Sequence, residues 1–530
     1  MPKRSRWDVA LWIALGLWLA ACGTALMLAA PLVRWLLSLS IPLIEGEGDP
    51  AFYVERLRRV LPFFALVGGL YGLTLHAVFL PGGLVSRFLA ARRRRTLVLL
   101  VVAVALLLAL TPRYLTGDEP HYLAMMESLW RDRDLNLANQ AGGGALDVLS
   151  HAVSGADRVK AYSVHFPGLA VLLLLPYGLF GAKGVIISMA LLWVAVVLVT
   201  QSWSRRTAIR PSPEPDPILL TAALSVPLSV LPGIVYPEIP AALLIAAAVA
   251  SLEVRAEGAL WTACAAVAAL PWFQVRLLGT ALVVALMAWR VLGRRAWLPL
   301  VALAASLAVQ GFVFESWYGD WVPWAMYPKS MGIPRGNPIQ GVLGMLFDQQ
   351  AGLLSTSPFY VLLVPALLSA WRRKRTQTLW RLVIVASYLA PVMGSNLWHG
   401  NWSPPARLWG PVLPILLVWI FAYVRERAES PRRLVSWRVL ALLSLVWGLL
   451  YCLFPDKRCS VLGAQGSNFF LSVLAKVSHL PVSLVFPRLQ QPGRTDLAVA
   501  VVELALWVII GWVAFRRRTR ALVSLRPDGR

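Results

Sequence analysis

The chain has 530 residues, of which 58% are hydrophobic and only 14% charged, and its mean hydropathy is +0.66. That composition excludes an ordinary soluble globular protein of this size and points to a polytopic membrane protein. The formal net charge of +24 does not indicate nucleic acid, because the basic residues fall in short clusters between apolar runs, where Lys and Arg mark the cytoplasmic side.

Those clusters are KRSR (3–6), RRRR (92–95), RR (205–206), RR (294–295), RRKR (372–375) and RRRTR (516–520). A helix needs about 20 apolar residues to cross a bilayer, and such runs recur from residue 9 almost to the end of the sequence. Alternation of apolar and polar residues is absent, which argues against a β-barrel. LAACG (19–23) resembles a lipoprotein cleavage site, but the apolar run continues past it, so an uncleaved first span is expected.

With the N-terminus inside, spans near 9–31, 60–80 and 96–110 put RRRR inside and TGDEPHYL (116–123) outside. FPGLAVLLLLPYGLFG (166–181) is apolar but short, and a crossing there would send every later basic cluster outward. It therefore reads as a helix lying in the outer interface, before a span near 184–203. Further spans are expected near 217–235, 239–253, 258–273, 277–292, 297–314, 357–371, 379–396, 407–424, 439–454 and 497–515. The expectation is an all-α polytopic membrane protein with about 14 transmembrane helices, both termini inside, and outer segments at 111–183, 315–356 and 455–496.

Four cysteines give neither a disulfide framework nor zinc spacing. Cys22 and Cys264 lie in apolar runs, whereas Cys452 and Cys459 fall near an outer membrane end, where pairing and separate structural roles both remain open. No phosphate-binding GxxxxGK loop and no GxGxxG after a strand is present, so nucleotide chemistry in the cytoplasm is not expected.

Acids at three outer places abut apolar helix ends, where an unpaired carboxylate is costly. In GDEPH, Gly117 and Pro120 frame Asp118 and Glu119 as a turn before a helical stretch, with His121 beside them. A capping acid is the plainer account, but capping needs only one. Glu238 lies between two prolines in YPEIP, and Asp348 precedes a glycine and a span in DQQAG. A turn acid and a loop end are the corresponding plain readings. Arg276 in LPWFQVRLLG and Arg407 in WHGNWSPPARLWGP sit at outer span ends, against the positive-inside bias. An anion at the outer leaflet would explain them, as would snorkelling to headgroups. His165 and His399 lie nearby in sequence, and Glu503 inside the last apolar run reads as a contact between helices.

GDEPHYLAMMESLWRDRDLNLAN (117–139), HFPGLAVLLLLPYGLFG (165–181), YPEIPAALL (236–244), LPWFQVRLLG (270–279), DQQAGLL (348–354) and WHGNWSPPARLWGPVLPIL (398–416) together resemble the GT-C superfamily of integral membrane glycosyltransferases. Protein O-mannosyltransferases and lipid A aminoarabinose transferases are the nearest named groups. On that resemblance, residues 1–95 are N-terminal helices outside the family core, 96–454 the catalytic core, and 455–530 an outer loop, last helix and basic cytoplasmic tail.

The resemblance implies transfer of a sugar, with inversion, from a polyprenyl-phosphate donor to an envelope acceptor on the extracytoplasmic face of a bacterial inner membrane. Asp118 would match the general base and Glu119 its partner in the acidic pair. Arg407 would be a phosphate ligand, and Glu238 the later acid used around donor phosphate, acceptor or metal. Arg276, His399, His121, His165 and Asp348 complete the candidate donor or acceptor set. A divalent cation, Mg²⁺ or Mn²⁺, would be held if Asp118, Glu119 and Glu238 converge. The acceptor classes are a glycolipid, a polysaccharide or a protein. Two other readings stand beside this one: a glycan polymerase or ligase using a pyrophosphate-linked donor, and a lipid or glycan transporter, whose ionisable groups should lie near the bilayer midplane.

Overall fold

The computed structural model describes, beyond isolated positions before residue 110, residues 117–138, 153–154, 162–207, 217–293, 297–324, 336–400, 403–425, 431–453, 468–479, 482–490 and 492–523. The three expected spans before residue 111, the RRRR cluster, Cys22 and Cys459 lie outside the described residues.

The fold is helical. In chain order come α1 (Glu119–Arg131), a two-residue antiparallel pair β1 (Val153–Ser154) and β2 (Tyr162–Ser163), α2 (Gly168–Leu172), α3 (Leu174–Thr207), α4 (Pro217–Leu224), α5 (Glu238–Glu253), α6 (Ala259–Phe273), α7 (Leu278–Leu292) and α8 (Trp297–Tyr318). Then follow α9 (Pro338–Phe347), α10 (Leu353–Thr356), α11 (Leu363–Arg373), α12 (Arg375–Met393), α13 (Leu413–Arg425), α14 (Pro431–Leu453), α15 (Phe469–Ser478) and α16 (Arg494–Val523). Among the described residues, Leu174–Thr207, Val275–Leu292, Trp297–Tyr318 and Arg407–Arg425 are long and apolar enough to cross a membrane.

The bundle has a clear axis. The apolar window of Arg407–Arg425 is 94% buried, against 28% for Trp297–Tyr318. Hence α13 is the central post, and α8 turns Val301, Val309 and Phe312 outward, as a lipid-facing helix does.

Helix ends sort to two faces. At one, Trp203 of α3 and Arg381 of α12 both bind Glu253 at the end of α5, with Arg381 forking onto it at 2.7 and 2.6 Å. Arg425 at the end of α13 donates to Ser204 of α3 at 2.8 Å. Arg205, Arg206, Arg372 and Arg373 cluster in the last turns of α3 and α11, whose C-termini belong to this same face. The starts of α5 and α13 lie at the opposite face.

The apolar stretch 166–181 is divided from the span after it. Gly181 has φ 59 and ψ −151 inside α3, a conformation that essentially only glycine adopts. Before that break, Val171, Leu172, Leu175, Leu179 and Phe180 are exposed, the apolar surface expected of a helix lying on a membrane. Its Tyr177 hydroxyl donates to Glu127 of α1.

The span expected at 217–235 takes another form. Helix α4 stops at Leu224, and the chain continues through a 3-10 turn at Leu228–Val230 to Pro237 without another α-helix. Pro227, Pro232 and Pro237 withdraw three backbone donors. The segment is buried throughout, so neighbours satisfy part of its backbone: Trp193 donates to the Leu228 carbonyl at 2.9 Å. Irregular backbone is tolerated in an apolar bundle on that condition. The segments 315–356 and 455–496 also hold α9 and α15, which apolar runs of 10 residues each did not reveal as elements.

Candidate active site

Asp118 occupies the N-cap position of α1, yet its side chain makes no capping bond. Its carboxylate Oδ2 instead accepts from Arg407 Nη1 at 3.1 Å. Glu119, in the first turn, goes elsewhere: its Oε1 accepts the Val235 N–H at 2.8 Å. That bond ties the start of α1 to the irregular segment leading into α5. The two adjacent acids thus divide their work, one entering an ion network and the other anchoring it.

Glu238 opens α5, its backbone framed by Pro237 and Pro240. Its Oε1 lies 3.0 Å from Arg276 Nη2 and 3.4 Å from Arg407 Nε. Arg276 comes from the 3-10 turn Val275–Leu277 between α6 and α7. Arg407 begins the 3-10 turn Arg407–Val412 that leads into α13, directly after Ala406, which is left-handed at φ 53. Such a backbone is uncommon for alanine and persists only where its surroundings impose it. A Cβ on Gly410 would meet the Glu238 Cβ at 3.0 Å, so this glycine lets the Arg407 turn press against the start of α5.

Four segments far apart in sequence therefore deliver two carboxylates and two guanidinium groups to one place, in the order Asp118, Arg407, Glu238, Arg276. The Arg407 and Glu238 side chains are 7% and 0% exposed, while Asp118 keeps 23%. Charges so enclosed persist only when paired. Three tyrosines wall the network. Arg407 stacks over the Tyr236 ring at 4.2 Å and Arg276 lies 5.7 Å from the Tyr388 ring. Tyr122, one turn beyond Asp118, packs its ring 5.4 Å from that of His165, which in turn lies 4.9 Å from His121.

Burial pushes the Asp118 carboxyl up, but the charges of Arg407, His165 and Arg276, with the Arg407 hydrogen bond, outweigh it and hold it below the usual carboxylate value. Burial, then the fields of Asp118 and Glu238, drive the Tyr122 phenol far above its ordinary range, so it remains a donor.

The remaining candidates have surroundings of their own. Asp348 caps its own turn, accepting from the N–H groups of Gln350 at 2.9 Å, Ala351 at 2.8 Å and Leu489 at 2.7 Å. Burial raises its carboxyl to about 6 against the pull of these backbone donors. His399 packs edge-on against Trp398 at 5.4 Å, and burial lowers its pKa. Glu503 sits within α16. Cys452 is buried, its Sγ 3.9 Å from the Ser229 carbonyl.

A divalent cation fits poorly. Among the described residues no three His, Cys, Asp or Glu side chains gather as a ligand set. Glu119 is turned to Val235 and Arg407 lies between Asp118 and Glu238, so the three acids named from sequence do not present one open cluster of oxygens.

Tyr122, Tyr236 and Tyr388 were not singled out in the sequence. The i,i+4 spacing of Tyr122 from Asp118 was the available signal; for Tyr388, inside an apolar helix, there was none.

No protein-family model matches this chain. No curated protein matches it either. Among solved structures, the crystal structure of ArnT from Cupriavidus metallidurans bound to undecaprenyl phosphate is similar at 15% identity and a TM-score of 0.44, over 79% of this chain and 77% of that one.

Proposed function

We propose that this protein is a GT-C type integral membrane glycosyltransferase that moves a sugar from a polyprenyl-phosphate donor to an envelope acceptor. The reaction inverts the anomeric centre and takes place on the extracytoplasmic face. The observation that carries the reading is the Asp118, Arg407, Glu238, Arg276 network, enclosed at the bundle face opposite the basic helix ends.

In this reaction the acceptor oxygen forms a bond to the anomeric carbon while the bond from that carbon to the phosphate oxygen breaks. The acceptor proton passes to Asp118, and the bonding electron pair leaves on the phosphate. Asp118 suits the first task because its neighbours keep it ionised at neutral pH. Arg407 and Arg276 suit the second, since a guanidinium holds phosphate oxygens through paired N–H donors.

The charge count favours a monophosphate donor. As the leaving phosphate gains one negative charge, protonated Asp118 loses one, so two guanidiniums facing Glu238 meet the new charge with no net change in the site. A pyrophosphate donor follows the same proton balance but brings one more negative charge into a set of four groups that sums to zero.

The test is a transfer assay on purified protein in lipid, with radiolabelled polyprenyl-phosphate sugars and pyrophosphate-linked counterparts, wild type beside Asp118→Asn. Turnover of one monophosphate donor that the folded variant loses is expected. Turnover of pyrophosphate donors alone would overturn the donor class, and turnover of none would overturn the enzyme reading.

A further inference from the structure

Beside the network, Tyr122 Oη and Glu238 Oε2, like Tyr388 Oη, are buried without a hydrogen-bond partner among the described residues. Their side chains are fully enclosed, Tyr122 at 0% and Glu238 at 1% exposure. Tyr122 lies one turn beyond Asp118, its N–H bonded to the Asp118 carbonyl at 3.2 Å, and so shares a face of α1 with the carboxylate. The Glu238 charge acts on the phenol, yet the two groups are not bonded to each other. Glu238 Oε1 is already engaged by both arginines.

What could complete both atoms is limited by chemistry. A carboxylate oxygen offers only lone pairs, and a phenol in this setting offers its proton. A phosphate oxygen would accept from Tyr122 but repel Glu238. An ammonium would satisfy Glu238 but accept nothing. A hydroxyl does both, on water or on a substrate that displaces it.

We infer that Tyr122 and Glu238 read one substrate hydroxyl, the phenol donating to its oxygen and Glu238 Oε2 accepting its proton. The assignment rests on the glycosyltransfer reading and makes the pair specificity-determining for a hydroxylated sugar. That hydroxyl belongs either to the donor's sugar ring or to the acceptor.

The experiment uses purified protein in nanodiscs, the donor it turns over, and the sets of monodeoxy analogues of that donor and of its acceptor. Tyr122→Phe removes only the phenolic oxygen, and Glu238→Gln removes the carboxylate's second acceptor while preserving shape. For a donor hydroxyl, the wild type should lose about tenfold or more in kcat/KM on one analogue, while both variants use that analogue and the parent alike. For an acceptor hydroxyl, the wild type should use every donor analogue alike yet lose about tenfold or more in kcat/KM on one deoxy acceptor, a discrimination that both variants lack. Folding is checked by thermal unfolding of each variant. Variants that keep both the wild-type transfer rate and its discrimination overturn this assignment alone. A wild type that moves no sugar overturns the glycosyltransfer reading and the assignment with it.

Discussion

Arg407 reaches across 289 positions of chain to place its Nη1 3.1 Å from Asp118 Oδ2, and this contact sets the charge state of the site. Burial acts to raise the Asp118 pKa, but Arg407 leads the opposing groups and the balance is a lowered value. A base must be ionised to take a proton. Activity is therefore lost as pH falls through the folded pKa, which lies below the ordinary aspartate value of about 4. Arg407→Gln leaves burial less opposed and should move the acidic limb of the rate profile up by roughly 1–3 units. A pH profile of kcat/KM for the two proteins measures this; coincident acidic limbs would remove the electrostatic role of Arg407.

Chelation should leave transfer intact. Glu119 spends an oxygen on Val235 and Arg407 occupies the space between the other two acids, so guanidinium groups supply the positive charge that a cation would otherwise bring. Rates in EDTA, then after adding back Mg²⁺ or Mn²⁺, check it. Loss in EDTA with recovery on repletion would contradict the arginine-based account.

The apolar runs and the side bias of the basic clusters made most helices legible, because helix length and the cost of moving Lys and Arg are local properties. Gly181 is a good instance: a short apolar run followed by another of full length implied a break, and the backbone breaks there. Arg276 and Arg407 were visible as exceptions to the charge bias. Their partners were not, since a sequence does not encode which carboxylate a guanidinium meets 289 positions away. The 217–235 run misled for a related reason: its composition suits a membrane helix, whereas Pro227, Pro232 and Pro237 and the surrounding protein select irregular buried backbone.

At the opposite face, Arg381 and Glu253 are 6% and 2% exposed and joined by two hydrogen bonds, with Arg381 also 4.8 Å from the Trp203 ring. Removing one partner strands a buried charge, which costs about 3–5 kcal/mol. Glu253→Leu and Arg381→Leu should each lower the unfolding midpoint in detergent, while the double replacement should regain most of the loss. Additive losses would show that the pair is not coupled.

Gly341 of α9 meets the backbone of α12, where an added Cβ would overlap the Met393 carbonyl oxygen. No rotamer relieves a clash with backbone, so the helices must part. Gly341→Ala should destabilise by about 1–3 kcal/mol or more, and because α12 also carries Tyr388 it should reduce turnover. Thermal unfolding of the variant is the check, and an unchanged midpoint would mean the two helices separate freely.

The orientation of the bundle can be decided by labelling its two faces. Arg206 is exposed at the end of α3 that carries the Glu253 cluster, and Asn396 is exposed just past the end of α12, whose start carries Arg381. The two positions therefore lie on opposite faces. Lys and Arg are retained on the cytoplasmic side, which puts Arg206 inside and the Asp118 network outside. On a background lacking the four native cysteines, Arg206→Cys should react with a membrane-impermeant maleimide only after the cells are opened, and Asn396→Cys in intact cells. The reverse pattern would place the network on the cytoplasmic face and remove the extracytoplasmic donor from the proposal. Equal labelling of both from one side would mean that α3 and α12 do not cross the membrane as the helix faces require.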